Sequence, residues 1–137
     1  QQDRTHTGFE IVRNLESQLP EVKTDPALIR QVILNVLHNA VQAIDKDGII
    51  RVTTLGNPSG GIIVEIADNG PGIAPGDIDR VFDPFFTTRP PGQGTGLGLA
   101  ICMMIMEKLG GGISARNGPG RGAVFSVFIP EAVDRES

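Results

Sequence analysis

Between residues 28 and 44 apolar positions recur every three or four places, the spacing of a helix that buries one side. Leu28, Val32, Val36, Ala40 and Ile44 form one edge of the apolar arc, and Ile29, Ile33, Leu37 and Val41 fill it out. What remains is a narrow polar stripe of Gln31, Asn35, His38, Asn39 and Gln42. Asn costs a helix interior roughly 0.5 kcal/mol relative to Ala, and two of them at i and i+4 set their amides on the same side. Taken alone, the stripe reads as a solvated helix face. Asp25-Pro26 supplies an N-cap followed by proline at the first helical position, so the helix is predicted from there to about residue 46, with Gly48 terminating it.

The rest of the chain alternates between strand and turn signals. Residues 1–8 are polar and lack a period, and read as a flexible N-terminal segment. Residues 9–15 alternate weakly and predict a strand with Phe9, Ile11 and Leu15 inward; Pro20 ends it, and residues 22–24 predict a second short strand. Residues 49–55 and 62–67 are rich in β-branched side chains and flank a Gly-Asn-Pro-Ser-Gly-Gly turn, which predicts an antiparallel hairpin. Its second strand runs straight into Asp68-Asn69-Gly70-Pro71-Gly72-Ile73. A helical turn is predicted near 77–81. Residues 82–96 carry prolines and glycines without a period, which reads as a long mobile loop of the lid kind. An apolar helix over 97–109 stops at three glycines, and residues 113–117 and 123–129 form a closing hairpin. Residues 131–137 read as a frayed tail, leaving one domain over 9–130. This order predicts an α+β two-layer sandwich, a mixed and mostly antiparallel sheet packed on about three helices.

Composition narrows the function classes. A chain of 137 residues with 39% hydrophobic content suits one domain with a real core. No apolar run approaches the ~20 residues of a membrane span, so no direct membrane contact is expected. A net charge of −4, no basic run, and no Trp or Tyr argue against a nucleic-acid partner. The single Cys102 cannot form an internal disulfide, fitting a reducing compartment, and its apolar neighbours make it a packing residue. The 18 glycines change the picture most, because they gather in residues 70–76, 92–98 and 110–122, where the backbone must turn tightly or approach a ligand.

Three of these stretches have chemistry to offer. A carboxylate at Asp68 can accept from an exocyclic amine while Gly70 and Gly72 let a flat ring lie against backbone; an ordinary Asx turn is the plain alternative. Gly94-Thr95-Gly96-Leu97-Gly98-Leu99 opens a helix, whose free N–H groups and dipole suit an anion. It lacks the Lys-Ser/Thr of a P-loop and follows no strand, so neither that loop nor a dinucleotide fingerprint fits. Phe82-Asp83-Pro84-Phe85-Phe86-Thr87-Thr88-Arg89 places three of the six Phe just before the lid, an apolar load suited to closing over a ligand or docking on a partner. Arg89 is either a terminal-phosphate contact or a solvated arginine.

In this order and spacing the four stretches resemble the sensor histidine kinases, specifically their ATP-binding catalytic domain, within the Bergerat-fold class that includes type II topoisomerases and heat-shock chaperone ATPases. Asn35-Val-Leu-His38-Asn39-Ala resembles the asparagine box, Asp68-Asn69-Gly70-Pro71-Gly72 the first glycine box, Phe82-Asp83-Pro84-Phe85-Phe86 the phenylalanine box and Gly94-Thr95-Gly96-Leu97-Gly98-Leu99 the second glycine box. The likeness covers roughly residues 22–130. It implies that Asn39 holds the Mg²⁺ bridging the phosphates, with Asn35 and Gln42 nearby, and that Asp68, Gly70, Gly72 and Ile73 receive adenine. It also implies that Thr88, Gly94, Thr95, Gly96, Leu97, Gly98 and Leu99 line the triphosphate. Arg89 stands where the family often has a lid lysine, and His38 where relatives carry an acidic or polar group that helps transfer. Ala123 departs from the family's frequent threonine and removes one hydrogen bond near adenine.

The branch within that class turns on Asn35. Hydrolysing members and anti-sigma serine kinases carry a glutamate there; an amide is no general base, and a neutral imidazole acceptor needs none. The resemblance therefore implies transfer of the γ-phosphoryl group to histidine. Arg4-Thr5-His6-Thr7-Gly8 lacks the helix of an acceptor box, so the acceptor is expected on a separate dimerisation domain upstream of Gln1, with a response regulator receiver domain downstream. A cytoplasmic location is expected, if need be as the cytosolic part of a membrane-anchored sensor. The alternatives are a non-catalytic ATP-sensing or interaction module and an ATP hydrolase.

Overall fold

A computed structural model describes residues 2–4, 9–87 and 97–131. Six strands and two α-helices form among these residues, and apolar stripes of period two or of helical period mark all but the first strand. In chain order they are β1 (Gln2–Arg4), β2 (Phe9–Leu15), α1 (Pro26–Ala43), β3 (Gly48–Gly56), β4 (Ile62–Asp68), a 3-10 turn (Pro75–Arg80), α2 (Gly98–Lys108), β5 (Gly112–Asn117) and β6 (Ala123–Ile129). The strands form a single sheet in the order β1-β2-β3-β4-β6-β5. Only β2 and β3 run parallel, in register from Phe9 against Gly48 to Leu15 against Thr54. That pair is joined through α1, as a parallel crossover requires. Each other pair is antiparallel, so the mixed, mostly antiparallel sheet expected from the sequence is present.

Both helices lie on one face of the sheet and bury a common core. Val32, Val36 and Ala40 of α1 and Cys102, Ile105 and Met106 of α2 pack with Ile50, Val64, Ile66, Phe125 and Val127. The helical edge expected at 28, 32, 36, 40 and 44 is thus the buried one. Val41, counted as apolar arc from the sequence, is instead exposed, as is Leu34. Asp25 caps α1 as its spacing implies: Oδ1 accepts from the Ala27 and Leu28 amides at 3.0 and 3.2 Å.

Three boundaries differ from the sequence pattern. Residues 22–24 form no strand, because β2 and β3 already have partners on both sides; Val22 packs partly against the core instead. α1 stops at Ala43 rather than near residue 46. Ile44 turns extended, Asp47 takes the left-handed conformation (φ 61°), and Gly48 opens β3 with no room for a side chain against Ile44. Gln2–Arg4, in the segment read as flexible, pairs antiparallel with β2; the rest of residues 1–8 and the tail from 132 lie outside the described residues. The stop of α2 is as expected: Gly110 (φ 81°) donates to Glu107 and Gly111 to Met106, a Schellman ending. No helix among the described residues is long and apolar enough to cross a membrane.

Candidate functional site

The apolar run of β4 carries its last residue, Asp68, into the interior, where it is 6% exposed. Oδ1 accepts from the backbone of Gly70 at 2.9 Å and of Ala123 at 3.3 Å. Burying a carboxylate costs free energy unless donors surround it, and here the backbone supplies two. With Oδ1 shared between them, Oδ2 is the atom left to take an N–H from a ligand.

The loop after Asp68 is tied down from two sides. On one side Asn69 links it to the start of β3, accepting from the Ile49 amide at 2.8 Å and donating to the Asp47 carbonyl at 3.2 Å. On the other, Asn117 at the end of β5 accepts from the Ile73 amide at 2.7 Å and donates to the Ile73 carbonyl at 2.8 Å. Arg121 Nε donates to the Asn69 carbonyl at 2.9 Å. The glycines are forced by this packing. Gly72 has φ 86°, and a Cβ there would come within 2.8 Å of Asn117 Oδ1. A Cβ on Gly70 would strike the Ala43 carbonyl, and one on Gly122 (φ 91°) the Asp68 carbonyl. Asn117, Arg121 and the bracing role of Asn69 escape a reading of the sequence. Asn117 opens a Gly-Pro-Gly turn, where its amide looks like ordinary turn chemistry.

Within the polar stripe of α1, Asn35 and Asn39 are half-buried, whereas Gln31, His38 and Gln42 are exposed. Asn35 Nδ2 donates to the Gly98 carbonyl at 3.4 Å, bringing the start of α2 against the middle of α1. One turn deeper, the Cys102 thiol donates to the Val32 carbonyl at 3.7 Å. Burial pushes that thiol up to about 11, with the Asn35 amide and backbone hydrogen bonding pulling it partly back. No side chain caps α2, and a Cβ on Gly98 would meet open space. That positively polarised helix start can accept an anion.

α1 therefore touches the Asp68 loop at its Ala43 end and the start of α2 at Asn35, with Asn39 midway. Eight residues of helix span about 12 Å, which suits a ligand with a flat hydrogen-bonding end and an anionic end. No group of three or more His, Cys, Asp or Glu among the described residues could hold a metal ion. The amide of Asn39 is a hard oxygen donor, and such a donor fits a cation that takes its other ligands from phosphate and water.

The phenylalanine-rich stretch divides into three roles. Phe82 packs edge-on against Phe125 of the core, with ring centroids 6.1 Å apart. Phe86 lies beneath the Arg80 guanidinium at 4.9 Å, while Asp77 holds Arg80 at 3.8 Å. Phe85, at φ 67°, is 72% exposed. Thr88, Arg89, Gly94, Thr95 and Gly96, together with His6, lie outside the described residues; Leu97, Gly98 and Leu99 are half-buried where α2 begins.

Comparison with known proteins gives this geometry its context. Residues 24–133 match the family described as histidine kinase-, DNA gyrase B-, and HSP90-like ATPase. The sensor histidine kinase ZraS of Escherichia coli strain K12 is 36% identical over 135 residues, which cover 98% of this chain and 28% of ZraS. Among solved structures, a nucleotide-free catalytic domain of the histidine kinase ThkA superposes with a TM-score of 0.79 at 30% identity, covering 92% of this chain and 80% of that one. ThkA in complex with the response regulator protein TrrA gives 0.78 at 29% identity, over 96% of this chain and 36% of that one. Full-length ShkA in complex with AMPPNP also gives 0.78, at 33% identity over 93% of this chain and 27% of ShkA.

Proposed function

From the premise that the chain belongs to the histidine kinase-, DNA gyrase B-, and HSP90-like ATPases, as a catalytic domain of the sensor histidine kinase type, we propose that it binds ATP with Mg²⁺ along α1 and donates the γ-phosphoryl group to a histidine on a separate dimerisation domain. The observation that carries this reading is the pair of contacts that α1 makes, with the Asp68 loop at Ala43 and with the α2 start at Asn35. Asp68 Oδ2 accepts the adenine amine, and residues 70–73 present backbone to the ring. The α2 start, with Leu97, Gly98 and Leu99, presents N–H groups to the phosphates, joined by Thr88, Gly94, Thr95 and Gly96. Asn39 Oδ1 offers the hard oxygen for Mg²⁺, with Asn35 and Gln42 on the same stripe. Magnesium, when bound, neutralises charge on the phosphates, and catalysis of phosphoryl transfer rests largely on such positioning and neutralisation. His38 and Arg89 act on the transferring phosphoryl group in this reading.

The stripe of α1 bears amides and a histidine and no carboxylate, so it lacks the carboxylate base with which the hydrolysing branch activates water. This favours transfer to an imidazole, which brings its own lone pair. The acceptor histidine lies in the dimerisation domain of the same protein, and a response regulator receives the phosphoryl group, in the cytoplasm. Two relatives support the response regulator and the nucleotide: ThkA was solved with a response regulator, and ShkA with AMPPNP. The decisive experiment is calorimetric titration with AMPPNP and Mg²⁺, followed by phosphotransfer from ATP to an added dimerisation domain. Saturable binding and an acid-labile phosphoprotein are expected. A folded sample with no affinity at millimolar nucleotide sinks the reading; steady ATP turnover by the isolated domain would move it to the hydrolase branch.

A further inference from the structure

We infer that Asn117 is the positioning residue of the base-binding loop, acting through Ile73 and Gly72, and that the turn after β5 is part of the adenine site; this rests on the ATP reading above. The Asn117 carboxamide pairs with both the N–H and the C=O of Ile73, at 2.7 and 2.8 Å, as an extra strand residue would. It thereby fixes a loop residue that has no sheet partner of its own. The same Oδ1 occupies the space in which a side chain on Gly72 would lie, so the left-handed Gly72 and Asn117 form one fitted unit. Residues that follow Asn117 reinforce this contact. Gly118 donates to the Gly122 carbonyl at 2.9 Å and closes the turn. Arg121 reaches the Asn69 carbonyl at 2.9 Å, and the Ala123 amide reaches Asp68 Oδ1 at 3.3 Å. The turn therefore touches the loop at Asp68, Asn69 and Ile73, on the side away from β3. None of these contacts lies at the α2 start. Asn117 thus holds the surface that meets the base and leaves the phosphate end alone.

This division gives a readout that a merely structural role would not move. In Asn117→Ala, affinity for AMPPNP with Mg²⁺ is expected to fall about tenfold, near the worth of one net hydrogen bond of lost preorganisation. Affinity for inorganic tripolyphosphate, which has no base, should stay within about twofold of the unaltered chain, since no ordered loop is lost at the phosphate end. Asn117→Asp keeps the acceptor for the Ile73 amide and is expected to recover part of the loss. Hydrogen exchange at the Ile73 amide should speed up in Asn117→Ala and less so in Asn117→Asp. An unaltered chain that binds AMPPNP while Asn117→Ala binds it equally well overturns the role of Asn117 alone. Equal weakening toward AMPPNP and tripolyphosphate also overturns it, by making the effect a general loss of fold. Failure of the unaltered chain to bind AMPPNP overturns the nucleotide reading and this role together.

Discussion

Around Asp68 the cleft is braced by the starts of β3 and β6, by Asn117 and by Arg121, through backbone and side-chain bonds mostly between 2.7 and 3.3 Å. At the other end, α2 meets the polar stripe of α1 through Asn35 and Gly98 at 3.4 Å, and its first turn has no side-chain cap. One end is made by the sheet and is rigid before any ligand arrives. The other is made by two helices, and no side chain caps its first turn. The first end fixes the hydrogen-bond geometry that a flat ligand needs, whereas the second is tied by one long hydrogen bond. Substitutions at the first end should therefore damage the fold or binding outright, and those at the second should act by degrees.

The largest effect is expected where the turn before β6 presses on the end of β4. Gly122 is left-handed at φ 91°, and a methyl group there would run into the Asp68 carbonyl. Gly122→Ala should lose about 3 kcal/mol of unfolding free energy, combining the strained φ with displacement of the loop. Urea denaturation measures it; a variant within 1 kcal/mol of the unaltered chain would show that the rigid end yields after all.

Next comes the carboxylate itself. Asp68→Asn keeps an Oδ1 acceptor for the Gly70 and Ala123 amides but turns a donor toward the ligand. Affinity for AMPPNP is expected to drop about fiftyfold, roughly 2.3 kcal/mol, in the range for a hydrogen bond to a charged group. The melting temperature should hardly move. Calorimetric titration and a thermal melt on one sample separate the two outcomes, and undiminished binding would remove Asp68 from the base site.

Much of this was legible in the chain. The stripe of α1, the Asp25 cap, the two hairpins and the glycine stop of α2 follow from local spacing, and local spacing is where sequence speaks most directly. The residues that brace the loop from Asp68 to Ile73 are another matter. Asn117 and Arg121 lie more than forty residues downstream, in a turn whose composition explains itself. Their partners are backbone atoms, which leave no trace in residue type. Val41 differs for a related reason: it falls on the exposed side of α1 with Leu34 and His38, while Ala40 and Ile44 pack against the core. The Phe82–Phe86 stretch was read as one apolar unit, yet its rings go to the core, beneath Arg80, and to solvent, a division that only packing decides.

Between the two ends lies Cys102, fully buried under the helix pair. Its thiol titrates near 11 in the folded protein against 9.0 unfolded, because burial disfavours the thiolate. The folded value is the higher one, so the contribution is complete below pH 9. It fades from there to pH 11, as the unfolded chain releases its proton first. The full loss is about 3 kcal/mol, two units at roughly 1.4 kcal/mol each. Urea midpoints taken at pH 8 and pH 10.5 test this against Cys102→Ala, which should lack that component of the decline. Parallel profiles for the two proteins would place the thiol in a wetter setting than the helix contact implies.

The smallest effect is expected at Asn35, and it sharpens the contrast most. Asn35→Ala removes one half-buried hydrogen bond to Gly98, at the long end of the allowed range, and should lower stability by about 0.5–1 kcal/mol. Because α2 retains its packing through Cys102, Ile105 and Met106, its first turn should shift without unfolding. Tripolyphosphate affinity should fall about threefold while the Ile73 amide keeps its slow exchange, since no contact of the base loop passes through Asn35. A loss of AMPPNP affinity as large as that of Asp68→Asn would invert the comparison. The helix pair would then be the fixed half of the cleft, and the sheet-braced loop the half that accommodates.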